Sequence, residues 1–288
     1  MTKTPFNKQA LTPEKLLAKY RAQGLIVDAN QIDLALNYFR YVGAYRLKGY
    51  LHHFIDPTTK HLPAGFTLAH LIQQYECDRE LRALTIDAVD RIEVAVRSVM
   101  ANYLSLKYSP HWFLSSDIFS SSAHWTFGQL IRKIETDVQQ AKDKHFIEHY
   151  FKHYDSPHLP PSWAVSECVS FGFWSKTYEI LHYPQDKKAI SMKFNIDQPE
   201  VFRSWIHTLT VVRNLAAHHS QLLRIKLRIK PVNYKSHAIR FSPSDSFSAA
   251  STVIQFLLNQ VQPHNTWQND LQALKQKYPL VKPSDYGL

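Results

Sequence analysis

From Thr67 the chain carries apolar side chains at steps of three and four for some forty residues: TLAHLIQQYECDRELRALTIDAVDRIEVAVRSVMANYLSLKY. That period lays one stripe along an α-helix. A helix of this size is about 60 Å long at its usual rise, and its stripe must be covered by other elements. The rest of the chain offers helices for the purpose, because it holds only seven glycines and few alternating apolar patterns. Hydrophobic residues make up 44% of the sequence and aromatics 13%, enough for a sizeable core. The expected fold is an all-α bundle with one short irregular or β segment near residues 223–232.

Along the chain, Thr12, Pro13 and Glu14 read as the cap and first turn of a helix closed by Gly24. A second helical period follows Asp28 to about Tyr41, completing a hairpin. Residues 43–66 carry glycines, prolines and aromatics without helical period and read as an ordered connection. Further helices are expected from about Ala123 to Tyr150, over SWAVSECVSFGFWSKTYEILHY, and from an Asp197/Glu200 capping box to around Ser220. Two short helices should flank Pro263. This organises the chain as an N-terminal helical cap and connection, 1–66, and a helical domain, 67–288.

The composition narrows the function. Lys and Arg number 34 against 24 Asp and Glu, a formal charge of +10, which favours a polyanionic partner such as RNA. Cys77 and Cys168 stand alone, with no disulfide framework and no zinc-type spacing, so a reducing compartment is expected. No segment has the apolar length of a membrane span, and the first residues lack a signal-peptide core. A cytoplasmic protein without membrane association is expected.

The chemistry concentrates in VVRNLAAHHS, residues 211–220. An arginine and a histidine separated by four to six residues is a loose pattern, and with thirteen arginines in the chain about two matches arise by chance. Two occur, at Arg46 and Arg213, but only Arg213 sits in a helical pattern with an asparagine beside it and alanines before the histidine. On a regular helix Asn214 and His218 lie about 40° apart and can touch, whereas Arg213 and His218 lie about 140° apart. One helix therefore gives an incomplete site. Two copies meeting about a two-fold axis would surround one cleft with both pairs, the short Ala216 and Ala217 allowing close approach. His219 points about 100° from His218, which suits a supporting role rather than joint metal ligation. Histidine exchanges protons near neutral pH and arginine offers a charged planar fork to phosphate, so the set suits RNA transesterification without a metal or other cofactor. The structural alternative is an arginine paired with a buried carboxylate beside a core histidine.

Four blocks extend the picture: YFRYVGAYRLKGYLHHF at 38–54, YECDRELRALTIDAVDRIEVAVRSVMANYLS at 75–105, PPSWAVSECVSFGFWSKTY at 160–178 and SWIHTLTVVRNLAAHHSQL at 204–222. In these the chain resembles the abortive-infection (Abi-like, AbiD/AbiF) family of HEPN-domain proteins. The R-N-x-x-A-H-H signature falls on Arg213, Asn214, Ala217, His218 and His219, and a D-R-x-E-x-x-x-R-S element on Asp90 to Ser98. The resemblance implies a HEPN-like helical bundle, a homodimer, and a metal-independent endoribonuclease used as a toxin in defence against bacteriophage, held in check by an RNA or protein antitoxin. The chain departs from the pattern at Phe173 and Trp174, and in LLRIK after the histidines, where RNA contacts would fall.

Other residues have assigned expectations. Arg91, Glu93 and Arg97 lie at the centre of the longest helix and should form an ion network or border the cleft, with Glu167, a helix-embedded carboxylate, orienting the site or joining that network. LRIKLRIK at 223–230 alternates strictly, so a half-buried strand is expected with Arg224, Lys226, Arg228 and Lys230 on one RNA-facing side, or as a merely solvated edge. His145, His149 and His153 recur every four residues without the convergence a metal needs. Trp112, Trp125, Trp163, Trp174 and Trp205 are assigned to the core. Against the ribonuclease stand a non-catalytic RNA-binding or regulatory helical protein and a helical scaffold.

Overall fold

The computed structural model describes Pro5, Asn7, residues 9–122 and residues 125–287. In chain order its α-helices are α1 (Pro13–Ala22), α2 (Ile32–Asn37), α3 (Ala44–His52), α4 (Leu68–Lys107), α5 (Phe127–Gln140), α6 (His145–His153), α7 (Ser162–Val165), α8 (Phe171–Ile180), α9 (Pro184–Met192), α10 (Pro199–Ala217), α11 (Phe247–Val261) and α12 (Trp267–Lys277). Extended pairing among the described residues is confined to isolated bridges, and the fold is all-α.

The chain divides into two compact units. One holds the residues up to Glu80 with Gln272–Lys282, and the other holds Leu81–Leu271 with the C-terminal stretch from Pro283. The division falls within α4, whereas the sequence pattern set it before that helix.

In the first unit Thr12 caps α1 by accepting the Lys15 N–H, Pro13 opens it, and Gly24 follows its end at φ +99°. Its core gathers Tyr20, Phe39, Leu47, Leu51, Phe66 and Leu71, with Tyr20 stacked on Phe39 at 5.6 Å between ring centroids. Burying side chains of this size contributes roughly 1.5–3 kcal/mol each. The Tyr50 hydroxyl donates to Asp78 at 2.8 Å, giving a buried carboxylate a partner. The stretch expected to be an ordered connection begins as a helix. Residues 44–52 are helical, joined to α2 through a π-helical turn at Tyr38–Gly43, and Gly43 sits at φ +90° where a side chain would strain the backbone. Leu47, Tyr50 and Leu51 bury one side of that short helix.

In the second unit α10 is the central element. It buries Val201, Phe202, Trp205, Ile206, Leu209 and Val212, and it packs on α8, α9 and α11. The Trp205 indole donates to the Val232 carbonyl at 2.9 Å, so the largest side chain of the helix is buried with its polar atom satisfied. Three further expectations change. The pattern assigned to one helix from Ala123 to Tyr150 forms two, α5 and α6; Ala123 itself lies outside the described residues, and Thr126 closes a capping box with Gln129 at the start of α5. SWAVSECVSFGFWSKTYEILHY is broken at residues 166–170 into α7 and α8. Asp197 does not cap α10: Gln198 holds that position without a side-chain bond, while Asp197 accepts the Tyr234 hydroxyl at 2.7 Å.

One polar cluster pins α9 to α4. Asp186 is fully buried and accepts from the hydroxyls of Tyr103 at 2.8 Å and Tyr108 at 2.5 Å and from the Lys107 ammonium. Burial opposes its charge, but these donors outweigh it and hold the carboxyl below the ordinary aspartate range. A depressed carboxyl adds stability above its unfolded pKa that is lost as pH falls through the folded one. Asp186→Ala should therefore cost about 3 kcal/mol in denaturant unfolding at neutral pH. The deficit relative to the parent should shrink in acid, below the normal aspartate titration.

Candidate active site

Arg213 and Asn214 stand near the C-terminal end of α10, and His218 is its capping residue. The helix stops at Ala217 rather than near Ser220 because His219 turns left-handed at φ 59°. The His219 N–H reaches the Ala216 carbonyl at 3.1 Å and the Ser220 N–H reaches the Leu215 carbonyl at 2.8 Å. Those two bonds form a Schellman motif, with histidine where glycine is usual. A non-glycine residue in this region costs on the order of 1 kcal/mol, a form of strain that gathers at functional positions. The regular-helix angle between His218 and His219 therefore does not apply. Asn214, His218 and His219 are all exposed, and Arg213 is 40% exposed at its side chain. Ala216 is buried within the subunit, so the expectation that it eases a two-fold approach is withdrawn; Ala217 is half-buried.

Behind the exposed groups lies a carboxylate. Glu93, buried on α4, receives the Arg213 guanidinium at 3.6 Å and the main-chain N–H of Phe171, the first residue of α8. Ser170 gives α8 no side-chain cap, so Glu93 supplies the negative charge at that helix start. Burial pushes the Glu93 carboxyl up, and the nearby Asp90 adds to this, while Arg213 and Arg97 act in the opposite direction. Arg97, one turn further along α4, pairs with Glu167 at 3.1 Å. Arg213 and Arg97 thus flank one buried carboxylate, with Glu167 at the outer end.

Of the expected network, Glu93 joins Arg213 and Arg97, Glu167 joins Arg97, and Arg91 joins neither. It pairs with Asp87 at 3.1 Å and donates to Gln262 at 2.6 Å on the surface. Glu167 lies in the turn between α7 and α8 rather than inside a helix.

The strand expected at 223–230 is absent. Arg224 adopts φ 59°, which ends any extended run. Its guanidinium meets Asp285 at 2.8 Å and its N–H donates to the Asp285 carbonyl at 2.6 Å. Arg224 is thereby a packing residue and leaves the expected RNA-facing set. Lys226 and Lys230 each approach Asp245 at 3.8 Å, and both remain exposed with Arg228, while Leu223 and Leu227 are buried. The inside-outside alternation survives without the sheet. His145, His149 and His153 stack along α6, and among the described residues no group of three or more His, Cys, Asp or Glu is arranged to hold a metal ion. Of the five tryptophans assigned to the core, Trp112, Trp125, Trp174 and Trp205 are buried, but Trp163 is 55% exposed. The periodicity was misleading there because α7 is only four residues long and turns away after one turn.

Two measurements probe this geometry. A carboxyl raised by burial gives stability that is complete below its unfolded pKa and lost as pH rises through the folded one. Glu93→Gln should remove that contribution, so that unfolding free energy of the variant falls less than the parent's across and just above the ordinary glutamate range. Arg224→Ala should cost roughly 2 kcal/mol by removing the guanidinium that pairs with Asp285, whereas Arg228→Ala should leave thermal unfolding unchanged.

A family model described as Abi-like protein matches residues 37–224, about two thirds of the chain. No curated protein and no solved structure matches. Among the described residues, no helix is long and apolar enough to cross a membrane.

Proposed function

The chain belongs to the Abi-like family, which points to a role in abortive infection by bacteriophage, and from that premise we propose that it is a metal-independent endoribonuclease of the HEPN type. The observation that carries the reading is the exposed end of α10, where Arg213, Asn214 and His218 meet solvent while Glu93 backs the arginine. In the reaction the ribose 2′-oxygen forms a bond to the adjacent phosphorus and the 5′-oxygen bond breaks. One imidazole takes the 2′-hydroxyl proton and another delivers a proton to the leaving 5′-oxygen. Arg213 stabilises the charge on the crowded phosphorus, and Asn214 orients phosphate or imidazole.

A single subunit carries one His218, so a homodimer that brings two such helix ends to one strand supplies both base and acid. The products are a 2′,3′-cyclic phosphate and a 5′-hydroxyl. His219 supports the turn, and Lys226, Arg228 and Lys230 extend the cationic surface along the phosphate backbone. A nuclease of this kind is a toxin to its host and requires an RNA or protein antitoxin, or activation by infection.

Purified protein incubated with single-stranded RNA and a chelator should cut it and leave cyclic phosphate ends. Matched DNA should survive because it lacks the attacking hydroxyl. His218→Ala should lower the rate at least about a hundredfold with RNA affinity retained. Activity abolished by the chelator, or equal cutting of DNA, would reject the mechanism. RNA bound without cleavage by the wild type under every activating condition would favour a non-catalytic binding module.

A further inference from the structure

Beside the Glu167 end of this charge network lies a cavity of about 830 Å³ that the sequence reading did not foresee. Its lining includes His111, Phe146, His149, Tyr150, Tyr154 and Trp163. Glu167 borders it as well, so the same carboxylate that pairs with Arg97 at 3.1 Å forms part of the cavity wall. From there the contacts run inward through Arg97 to Glu93 and Arg213.

The wall has the chemistry of a flat π-faced ligand. Tyr150 and Tyr154 lie with ring centroids 5.3 Å apart at 31°, and His111 adjoins Tyr150 at 6.4 Å. Trp163 enters from α7, a different element, and keeps more than half of its surface exposed instead of joining the core. Tyr154 and Phe146 are exposed too. Trp163, Tyr154 and Phe146 are three aromatic side chains left in solvent around one concavity, with Tyr150 buried at its floor, and aromatic faces bind unpaired bases irrespective of sequence. Burial lowers the pKa of the His111 ring in this wall, so it contributes a neutral ring.

Charge selects among flat ligands. Lys144 adjoins two residues of the wall, donating to the Glu167 carbonyl at 3.1 Å and lying 5.8 Å from the centre of the Phe146 ring. Arg97 follows behind Glu167, in a chain whose net charge is +10. An aromatic recess whose one carboxylate is answered by Arg97 and adjoined by Lys144 suits a base carried on a phosphate chain.

We propose that this cleft is a nucleobase subsite: it stacks one unpaired base of an RNA strand between Trp163 and the α6 aromatics and thereby directs the adjoining phosphate toward Arg97 and Arg213. The assignment rests on the ribonuclease reading for its purpose, but the binding it predicts can be measured without cleavage. A purine or pyrimidine fits the same recess, so the subsite selects single strands over duplexes, whose bases are already stacked and paired.

The test uses full-length protein carrying His218→Ala and three fluorescent probes: oligo(A) and oligo(U) decamers and a decamer of abasic ribose phosphates. Trp163→Ala and Tyr154→Ala should each weaken binding of the base-bearing decamers about tenfold in anisotropy titrations, while affinity for the abasic decamer stays the same. Both side chains are more than half exposed and lie on different segments, so misfolding of one variant leaves the other to decide. Unchanged affinity for all three probes in both variants would overturn the assignment. Loss of self-association with unchanged RNA affinity would also overturn it, making the cleft a contact between copies. A tenfold base-dependent effect alongside a wild type that never cuts RNA would uphold the cleft and sink the nuclease.

Discussion

A carboxylate placed inside a helical bundle needs its charge answered, and the answer given to Glu93 arranges everything around it. Glu93 comes from α4, the N–H it accepts from the first residue of α8, and the guanidinium it receives from the last turns of α10. Three helices distant in sequence are therefore registered on one buried group. Hydrophobic packing of α10 against α8 and α11 supplies the bulk of the free energy, but apolar contact has little directional preference. The ion pair and the helix-start bond fix where along those helices the contact occurs. Removing Arg213 would take the nearest opposing charge from a buried carboxylate, whereas removing Glu93 would leave a guanidinium that still meets solvent.

The same arrangement explains why the end of α10 is exposed. Its middle is anchored by Phe202, Trp205 and Leu209, each fully buried. Its last turn then runs out to solvent, where the Schellman bonds close it over a left-handed His219. Arg213 is thus held from behind while Asn214 and His218 face outward. In this geometry a phosphate approaching the helix end can meet arginine and histidine without entering the core. An end formed by a flexible coil would offer the same residues with more freedom to lose on binding.

Much of this is written in the residues themselves. Long apolar periods made α4 and α10 legible, and Thr12, Pro13 and Gly24 marked the bounds of α1, because these signals are local. The arginine, asparagine and histidine of the candidate site were visible for the same reason, since they share one helix end. The partnership of Glu93 with Arg213 was open to two readings, because nothing local says which of several charges on α4 will find a cation 120 positions later. Arg91, two residues before Glu93, went to the surface instead. Strict alternation in LRIKLRIK was misleading because a strand needs a neighbour to bond, and here Asp285 and Asp245 engage the cations in place of a sheet. Trp163 was assigned to the core on its hydrophobic character, and only the brevity of α7 left it outside.

The central claim is that the exposed imidazole at the end of α10 acts on RNA. It is tested most directly by inducing the wild type and His218→Ala at equal abundance in bacteria and sequencing the 5′-hydroxyl ends of cellular RNA. The account predicts growth arrest and new 5′-hydroxyl ends in cells making the wild type, with neither in cells making the variant. Growth arrest of equal depth from both proteins, with RNA intact in each, would contradict it.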